Sequence, residues 1–304
     1  MNSSYYFSKI YVLIFALCIF FIFINFPKNE NPPAQSSFPE STSGNKIISA
    51  LEKFQDCYNS KVFTFSNNSK DIWSNIEIIA HICDGFGGNL DLRPLRNRDE
   101  TKWLAFPKKT NLDRNFTMVT LGIANDITAE IKLRDILPQT DFFGADPTNM
   151  SQIYTQLGQH FQFGVSGKTG LKNTRIYKNP KMALEDDVKN VNFVEFIDEY
   201  VQRKLVHFLW IDIEGGEFEI FEMLYRNGDI DTNHIDICQI NFEIHQKTLE
   251  EITNEAERFQ NFIRKIVTDG KYAIVKAFNV RKQNFVRIFL VNIENAECRR
   301  LFID

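Results

Sequence analysis

The residues that most clearly suggest chemistry are acids that follow an apolar run in the second half of the chain. The segment 208–221 reads FLWIDIEGGEFEIF. It places Asp212, Glu214 and Glu217 within six positions, around a Gly-Gly turn. A carboxylate at a buried strand is costly unless it is paired or used, so we predict a functional role for Asp212. Acidic side chains near a helix N-terminus interact favourably with the helix dipole, and we predict this structural role for Glu217.

The next apolar segment carries two further candidates. Residues 240–245 read INFEIH, and in a strand this spacing places Glu243 and His245 on the same face. Beside Asp212 they would make a general acid/base or metal-type group. A lone His at a strand end is more often a capping residue. The predicted catalytic residues are Asp212, Glu243 and His245, and no metal site is predicted.

Three more polar or small segments follow strand-like runs. In LGIANDITAE, Gly122 permits a tight turn, and Asn125 or Asp126 can equally be plain helix caps. In FFGADP, Asp146 is placed either to accept the hydroxyls of a ribose or to cap the following helix. The small residues of GVSGKTG (164–170) suit a flat adenine or a simple loop.

The elements that must position these residues alternate between strand and helix after residue 115. Predicted strands are 116–123, 140–147, 161–167, 206–214 and 234–245, and predicted helices are 125–138, 148–158, 191–205, 216–228 and 246–268. YAIVKAF and FVRIFLVNI close the chain as a predicted hairpin. This alternation predicts an α/β fold with a parallel sheet, whose strand C-terminal ends share one ligand-binding edge.

Before this region the pattern is less regular. IISALEKF and DIWSNIEIIAHI predict two short amphipathic helices, and a glycine-rich turn and a polar loop follow them to Arg114. The predicted organisation is a tail (1–9), an apolar helix (10–27), a stem (28–45), an N-terminal extension (46–113) and the main domain (114–304).

Composition excludes several classes of protein. The 304 residues are 43% hydrophobic and 24% charged, with a net charge of −4, which fits neither a disordered chain nor a many-span membrane protein. The chain shows no basic face, so nucleic acid is not an expected partner. Nothing in the sequence predicts an oligomeric state.

The N-terminal segment predicts a membrane anchor. Residues 10–27 carry no charge and are nearly all large and apolar, whereas the NFPKNENPP that follows lacks the small residues of a cleavage site. We therefore predict an uncleaved signal-anchor of a type II protein, with the bulk of the chain in the lumen of the endoplasmic reticulum or Golgi. Three sequons on the predicted lumenal side, at Asn67, Asn115 and Asn149, are compatible with a lumenal glycoprotein.

The cysteines admit a disulfide in that compartment. Cys57 and Cys83 lie in the irregular N-terminal region, where a bridge and two free thiols are equally expected. Cys238 falls in an apolar strand pattern and is expected to be a buried free thiol, which leaves Cys298 without a partner.

Taken together, VTLGIANDITAE, FFGADP, GVSGKTG and WIDIEGGEFEIF, in this order, resemble the FkbM-type methyltransferases. The family's local signature, D-[IV]-E-G followed by x-E, stands here as residues 212–217. The resemblance covers about residues 114–293 and leaves 46–113 outside. It implies a class I S-adenosylmethionine-dependent methyltransferase with a Rossmann-like, seven-stranded, mostly parallel sheet whose last strand is antiparallel, here behind an N-terminal transmembrane helix.

The resemblance also implies roles for single residues in binding S-adenosylmethionine. Gly122 would pack against the methionine part of the cofactor, and Asp146 would bind its ribose hydroxyls. Ser166 would lie near the adenine. Ala124 and Asp126 belong to the same cofactor-binding turn, although Ala124 stands where the family usually has a second glycine.

For catalysis, the resemblance places Asp212 by the methyl donor and leaves Glu243 or His245 to deprotonate the acceptor. The expected reaction is O-methylation of a hydroxyl, on a small molecule or on a glycan or glycolipid of the secretory pathway. Two alternatives stay open. One is a binding module that keeps the fold without catalysis, and the other is a membrane-anchored glycosyltransferase using the D-x-D sequence at Asp229–Asp231.

Overall fold

The computed structural model describes residues 41–64, 69–84, 90–178, 181–246, 252–280 and 285–304. The predicted tail, the apolar helix 10–27 and Asn67 lie outside these residues. Among the described helices, none combines the length and the apolar character that a membrane crossing requires. Residues 41–45, predicted as the end of the stem, belong to a helix that begins at Ser41.

The elements are numbered in chain order. The strands are β1 (Leu92–Arg96), β2 (Thr101–Ala105), β3 (Phe116–Leu121), β4 (Thr140–Ala145), β5 (Gln159–Phe161), β6 (Gly164–Ser166), β7 (Gly170–Lys178), β8 (Lys181–Asn192), β9 (Leu205–Ile211), β10 (Asp236–His245), β11 (Tyr272–Val280) and β12 (Phe285–Asn292). The α-helices are α1 (Ser41–Thr64), α2 (Ser69–Ile82), α3 (Thr128–Ile136), α4 (Phe193–Glu195), α5 (Asp229–Thr232), α6 (Ile252–Asp269) and α7 (Ala296–Phe302). A π-helical turn, Phe196–Val201, continues α4.

The central sheet has seven strands in the order β11-β12-β10-β9-β3-β4-β5. β12 is antiparallel to both its neighbours, and the β10–β9, β9–β3, β3–β4 and β4–β5 pairs are parallel. This confirms the predicted Rossmann-like, mostly parallel sheet that ends in a hairpin. All six residues of β3 are buried, as expected for a central strand covered on both faces.

The predicted third strand, 161–167, is in fact divided between two sheets. Its first residue ends β5 in the central sheet, whereas β6 joins a separate sheet of order β6-β8-β7. Residues 168–190, expected to be a loop, form most of the β7–β8 ribbon. The ribbon escaped prediction because its strands do not bury one apolar face: Leu171 and Leu184 are 67% and 65% exposed.

Three predicted helices are shorter or tighter than expected. Residues 149–156 form a 3₁₀ helix, and 216–228 contains only the 3₁₀ turns Glu217–Glu219 and Glu222–Leu224. Helix α4 begins after Asn192, whose side chain accepts hydrogen bonds from the N–H groups of Val194 and Glu195. The π-helical continuation of α4 ends at Gln202, which has a left-handed conformation. In α4 and its continuation, the Asn192 cap and the left-handed Gln202 therefore set the bounds and overrode the apolar periodicity.

An N-terminal hairpin, β1–β2, lies against the central sheet and was not predicted. Two side-chain amides of β10 pair with the backbone of β2 as a neighbouring strand would. Asn241 accepts from the Trp103 N–H and donates to its carbonyl, both at 2.7 Å. Gln239 makes the same pair of bonds with Ala105, both at 2.8 Å. The hairpin is thus held by side chains that look merely polar in the sequence.

Two disulfides join the described elements. Cys57–Cys83, one of the two expected possibilities, links α1 to the end of α2. The expectation for the other pair is wrong, because Cys238 of β10 is bonded to Cys298 of α7. The apolar pattern around Cys238 reported its burial correctly but carried no information about the helix that packs there 60 residues later.

Replacing Gln239 by Leu tests the hairpin attachment. The change leaves the buried N–H and carbonyl of Ala105 without partners. We expect the free energy of unfolding to fall by about 2–4 kcal/mol in denaturant titrations. Gln162→Leu is the control, since Gln162 is exposed and bonds only another side chain; it should change stability by less than about 0.5 kcal/mol. Equal stabilities of the two variants would contradict the attachment.

Candidate active site

The predicted site residues meet at one cavity of about 1110 Å³ at the carboxyl edge of the parallel strands. All eight line it: Gly122, Ala124, Asp126, Asp146, Ser166, Asp212, Glu243 and His245. The N-terminal hairpin contributes one wall through residues 97–102, and the β7–β8 ribbon contributes another. The strand edge had been predicted, whereas both ribbon walls had not.

The ends of β3 and β9 approach each other at Gly122. A Cβ on this residue would lie 1.6 Å from the main-chain oxygen of Asp212, and its φ of +79° is a conformation that side chains disfavour. The Asp212 N–H donates to the Leu121 carbonyl at 2.8 Å. Glycine is therefore required for the two strand ends to come together. Asp212 is the first residue after β9 rather than part of the strand.

Asp146 holds the turn that follows β3. Its Oδ2 accepts hydrogen bonds from the N–H groups of Ile123 and Ala124 at 2.8 and 2.9 Å. Its Oδ1 accepts from the N–H and hydroxyl of Thr148 at 2.7 and 2.6 Å. The carboxylate is 5% exposed, and a ribose hydroxyl would have to share an oxygen that already accepts two hydrogen bonds. The bonds to Thr148 agree with the predicted capping role, whereas the ribose-binding role stays a prediction.

Asp126 and Ser166 border the same cavity with their polar atoms engaged. Asp126 accepts from the N–H of Thr128 in α3 and from the N–H of Arg98 at the tip of the hairpin, both at 3.0 Å. It therefore caps the helix and ties the hairpin to the cofactor turn. The Ser166 hydroxyl accepts from Lys172 Nζ at 2.9 Å, which links β6 to the ribbon.

A cluster of charged side chains fills the cavity end near Asp212. Five carboxyl groups face three cations, so with every carboxyl ionised the cluster carries an excess of negative charge even when its imidazole is protonated. Its members are Glu100, Lys102, Asp212, Glu214, Glu217, Glu243, His245 and Arg287. Such an excess attracts a cationic ligand.

His245 lies between two carboxylates. Its Nδ1 is 3.2 Å from Glu217 Oε1, and its Nε2 is 3.3 Å from Glu243 Oε1. Burial opposes charge on the ring, but the hydrogen bonds to Glu217 and Glu243 prevail and raise the pKa of His245 to about 12. Both ring nitrogens are then donors. An imidazolium has no lone pair with which to accept a proton or bind a metal ion.

Glu243 is held as a carboxylate by cations on two other elements. Burial alone would raise its pKa, but the hydrogen bond with His245 and the charges of Lys102 and Arg287 lower the pKa of Glu243 to about 2. Arg287 Nε contacts Glu243 Oε2 directly. Lys102, in turn, lies 2.6 Å from Glu100. A carboxylate stabilised in this way is a weak base.

Asp212 differs from the other carboxylates of the cluster. Its Oδ1 atom is buried and has no hydrogen-bond partner. The nearest cationic atom is His245 Nδ1, at 3.9 Å. Burial and the neighbouring Glu243 raise the pKa of the Asp212 carboxyl well above its usual range. An unpartnered oxygen with raised proton affinity is suited to accept a hydrogen bond, and then a proton, from a ligand.

Four charged residues that line this cavity were not predicted as site residues from the sequence. Glu100 and Lys102 lay in a segment expected to be a polar loop, and Glu130 lay inside a helix pattern. Glu130 is 5% exposed, and burial raises its pKa to about 7. Arg287 offered a usable signal, because it is a lone charge in the apolar run FVRIFLVNI.

A family model described as "Methyltransferase FkbM domain" matches residues 62–274. The match starts well before residue 114 and therefore includes the N-terminal hairpin, which the sequence resemblance had left outside. A Caenorhabditis elegans protein, "Uncharacterized protein C28H8.7", is 23% identical over 189 residues, which are 62% of this chain and 56% of that protein. This chain thus matches little more than half of the relative's length.

Solved structures similar to this chain include two from prokaryotes. Fibrillarin of Aeropyrum pernix "in complex with natively bound S-adenosyl-L-methionine" shares 13% identity over 59% of this chain and 68% of its own, with a TM-score of 0.34. A putative rRNA methylase of Clostridium thermocellum shares 11% identity over 62% of this chain and 93% of its own, with a TM-score of 0.33. Similarities at this level say nothing about what this chain methylates.

Replacing Ala124 by Gly tests the strain in the cofactor turn. Ala124 has a φ of +49°, and its N–H bond to Asp146 does not need the methyl group. Relief of about 1–2 kcal/mol of left-handed strain outweighs the added chain entropy of about 0.5–1 kcal/mol. We expect a rise of about 0.5–1 kcal/mol in the free energy of unfolding.

Gly122→Ala is the opposing control for that measurement. It should lower the free energy of unfolding, because its Cβ meets the Asp212 main chain. A loss of stability in Ala124→Gly would show that the methyl group is needed where it stands.

Proposed function

The chain belongs to the FkbM methyltransferase family, and we propose that it uses S-adenosylmethionine to methylate a hydroxyl oxygen. The single observation that carries the hydroxyl assignment is the buried, unpartnered Oδ1 of Asp212 beside a cationic His245. A neutral hydroxyl is a poor nucleophile, and this carboxylate is placed to improve it by taking its proton.

The residues at the carboxyl edge fit the cofactor. Glycine at position 122 lets the ends of β3 and β9 meet beside the cavity, and the excess of carboxylates favours a sulfonium cation. The cavity of about 1110 Å³ exceeds the usual volume for one small ligand, so it also admits an acceptor. Bound S-adenosylmethionine supplies the methyl group from a sulfonium that is already a good leaving group. Gly122, Ala124, Asp146 and Ser166 are the residues proposed to hold it.

Asp212, His245 and Glu243 have different roles in the proposed proton transfer. We assign the proton of the acceptor hydroxyl to Asp212, because its pKa is raised and its buried Oδ1 has no hydrogen-bond partner. The pKa of Glu214 is also raised, but Glu214 lies on the Nε2 side of His245 and its side chain is 29% exposed. The charge of the His245 imidazolium, 3.9 Å away, opposes the rise in the pKa of Asp212 and so favours its ionised form. Glu243 balances His245 and does not compete for the proton, since its own pKa is low.

The proposed acceptor is a hydroxyl of a glycan or glycolipid in the secretory pathway. Two disulfides support an oxidising compartment, because such bonds are rare in the cytosol. Asn115 and Asn149 are exposed and head two of the sequons, which is compatible with a glycoprotein. We propose that residues 10–27 anchor the chain with its catalytic domain in the lumen of the endoplasmic reticulum or Golgi.

No observation favours the glycosyltransferase alternative. In the D-x-D sequence, Asp231 is paired with Lys271 Nζ at 2.5 Å and accepts from the Asn227 N–H at 3.0 Å. Ile230 between the two acids is buried. These contacts describe a structural turn at α5.

Asp212→Asn tests the proposed reaction. With S-adenosylmethionine labelled in its methyl group, transfer to a panel of neutral glycans and glycolipids should fall by about 10²–10⁴-fold, because the base is lost. Calorimetric affinity for S-adenosylmethionine should change only a few-fold. Wild-type activity should decline as pH falls through the raised pKa of Asp212, since the base must be ionised. Asp113→Asn, an exposed acid outside the cavity, is the control. Undiminished transfer by Asp212→Asn would refute the assignment.

Expression of the full chain in eukaryotic cells tests the compartment. We expect a glycosidase-sensitive species that loses one glycan in Asn115→Gln, because Asn115 is exposed. Without reductant, Cys57, Cys83, Cys238 and Cys298 should resist alkylation, since all four are in disulfides. A glycan-free protein with four reactive thiols would place the domain in a reducing compartment instead.

A further inference from the structure

Glu217 is the most deeply buried acid of the site, and its charge must be compensated locally. It is 0% exposed and starts the 3₁₀ turn Glu217–Glu219. Its Oε1 accepts from the Ile213 N–H at 2.9 Å, and its Oε2 accepts from the Gly215 N–H at 2.7 Å. The third contact is His245 Nδ1, at 3.2 Å from Oε1. These contacts go beyond the helix-dipole role expected from the sequence.

We propose that Glu217 is the positioning residue of the active site: it shapes the turn after Asp212 and holds His245 as a cation beside the Asp212 carboxylate. The proposal rests on the methyl-transfer function given above, in which Asp212 takes the proton. Glu217 itself is buried and makes all its contacts within the protein.

Glu217 stabilises the shape of the turn that follows Asp212. Glu214 and Gly215 have φ values of +55° and +98°, which a chain without support does not readily adopt at a glutamate. The Glu217 carboxylate accepts hydrogen bonds from the amides on both sides of Glu214. It therefore stabilises the bend that carries the chain away from Asp212. A neutral amide at position 217 offers only one acceptor atom for these two donors.

The His245 ring is surrounded mainly by acidic side chains. Four carboxylates approach the ring: Asp212, Glu214 and Glu217 from the segment after β9, and Glu243 from β10. The Phe285 ring of β12 packs at 5.1 Å between centroids. The cations nearby, Lys102 of β2 and Arg287 of β12, are paired with Glu100 and Glu243.

Glu217 is the carboxylate that decides the charge on Nδ1, the nitrogen nearer to Asp212. Glu214 is more distant, at 3.7 Å from Nε2, and its side chain is 29% exposed. Glu243 faces the opposite nitrogen and shares its charge with Arg287. With Glu217 neutral, the Nδ1 proton loses its closest acceptor, and Asp212 loses part of the positive field that keeps it ionised.

The test is a pH titration of the full-length chain with ¹³Cε1-labelled histidine, followed by NMR. The His245 resonance is identified by its absence in His245→Gln. We expect His245 to stay protonated to at least pH 9 in the wild-type protein, and its midpoint to fall by about 1–3 pH units in Glu217→Gln. Glu222→Gln, an exposed acid in the adjacent 3₁₀ turn, should leave the midpoint unchanged.

Two results would overturn the proposal: a wild-type midpoint near the ordinary value of about 6.5, or an unchanged midpoint in a folded Glu217→Gln. If Glu217→Gln fails to fold, the wild-type titration decides alone. The readout needs no acceptor and no methyl transfer. A high wild-type midpoint that Glu217→Gln lowers, in a protein that methylates no hydroxyl, would support Glu217 and count against the proposed function.

Discussion

The two-residue period of β10 is the constraint on which the fold and the site both depend. Gln239, Asn241, Glu243 and His245 are alternate residues and therefore share one face of the sheet. The first two bind the backbone of β2, and the last two build the charged cluster. A shift of register by one residue would turn all four side chains to the other face of the sheet at once. The contacts with β2 and the charged cluster would then be lost together.

Charge compensation then explains why the N-terminal hairpin belongs to the domain. The carboxylates come mainly from the segment after β9 and from β10, and the cations other than His245 come from β2 and β12. Lys102 reaches the cluster only because the hairpin lies on the sheet. Its side chain and that of Glu100 are 9% and 7% exposed, so the pair is buried together. Removing Glu100 would leave Lys102 as a buried charge without its ion-pair partner, which costs far more than the pair itself contributes.

The sequence predicted the sheet well because each central strand is an uninterrupted apolar run between helical or turn segments. It also predicted which residues meet at the strand edge, since parallel strands bring their carboxyl ends to one side. It could not predict the protonation of His245, which depends on Glu217 folding back from a neighbouring turn. Nor could it predict the β7–β8 ribbon or the Cys238–Cys298 bond, because exposed ribbons lack apolar periodicity and disulfide partners are chosen by packing.

Both walls of the cavity lie outside the seven-stranded sheet: one is the two-stranded β1–β2 hairpin and the other is the three-stranded β6-β8-β7 sheet. The hairpin is bonded to the turn after β3 through the Arg98 N–H and Asp126, and β7 is bonded to β6 through Lys172 and Ser166. We therefore expect changes of length or sequence in residues 97–100, 102 or 170–192 to alter these walls while β3, β4 and β9 keep their geometry. In evolutionary terms, such an arrangement lets the outer part of the cavity diverge among related proteins around a constant strand edge.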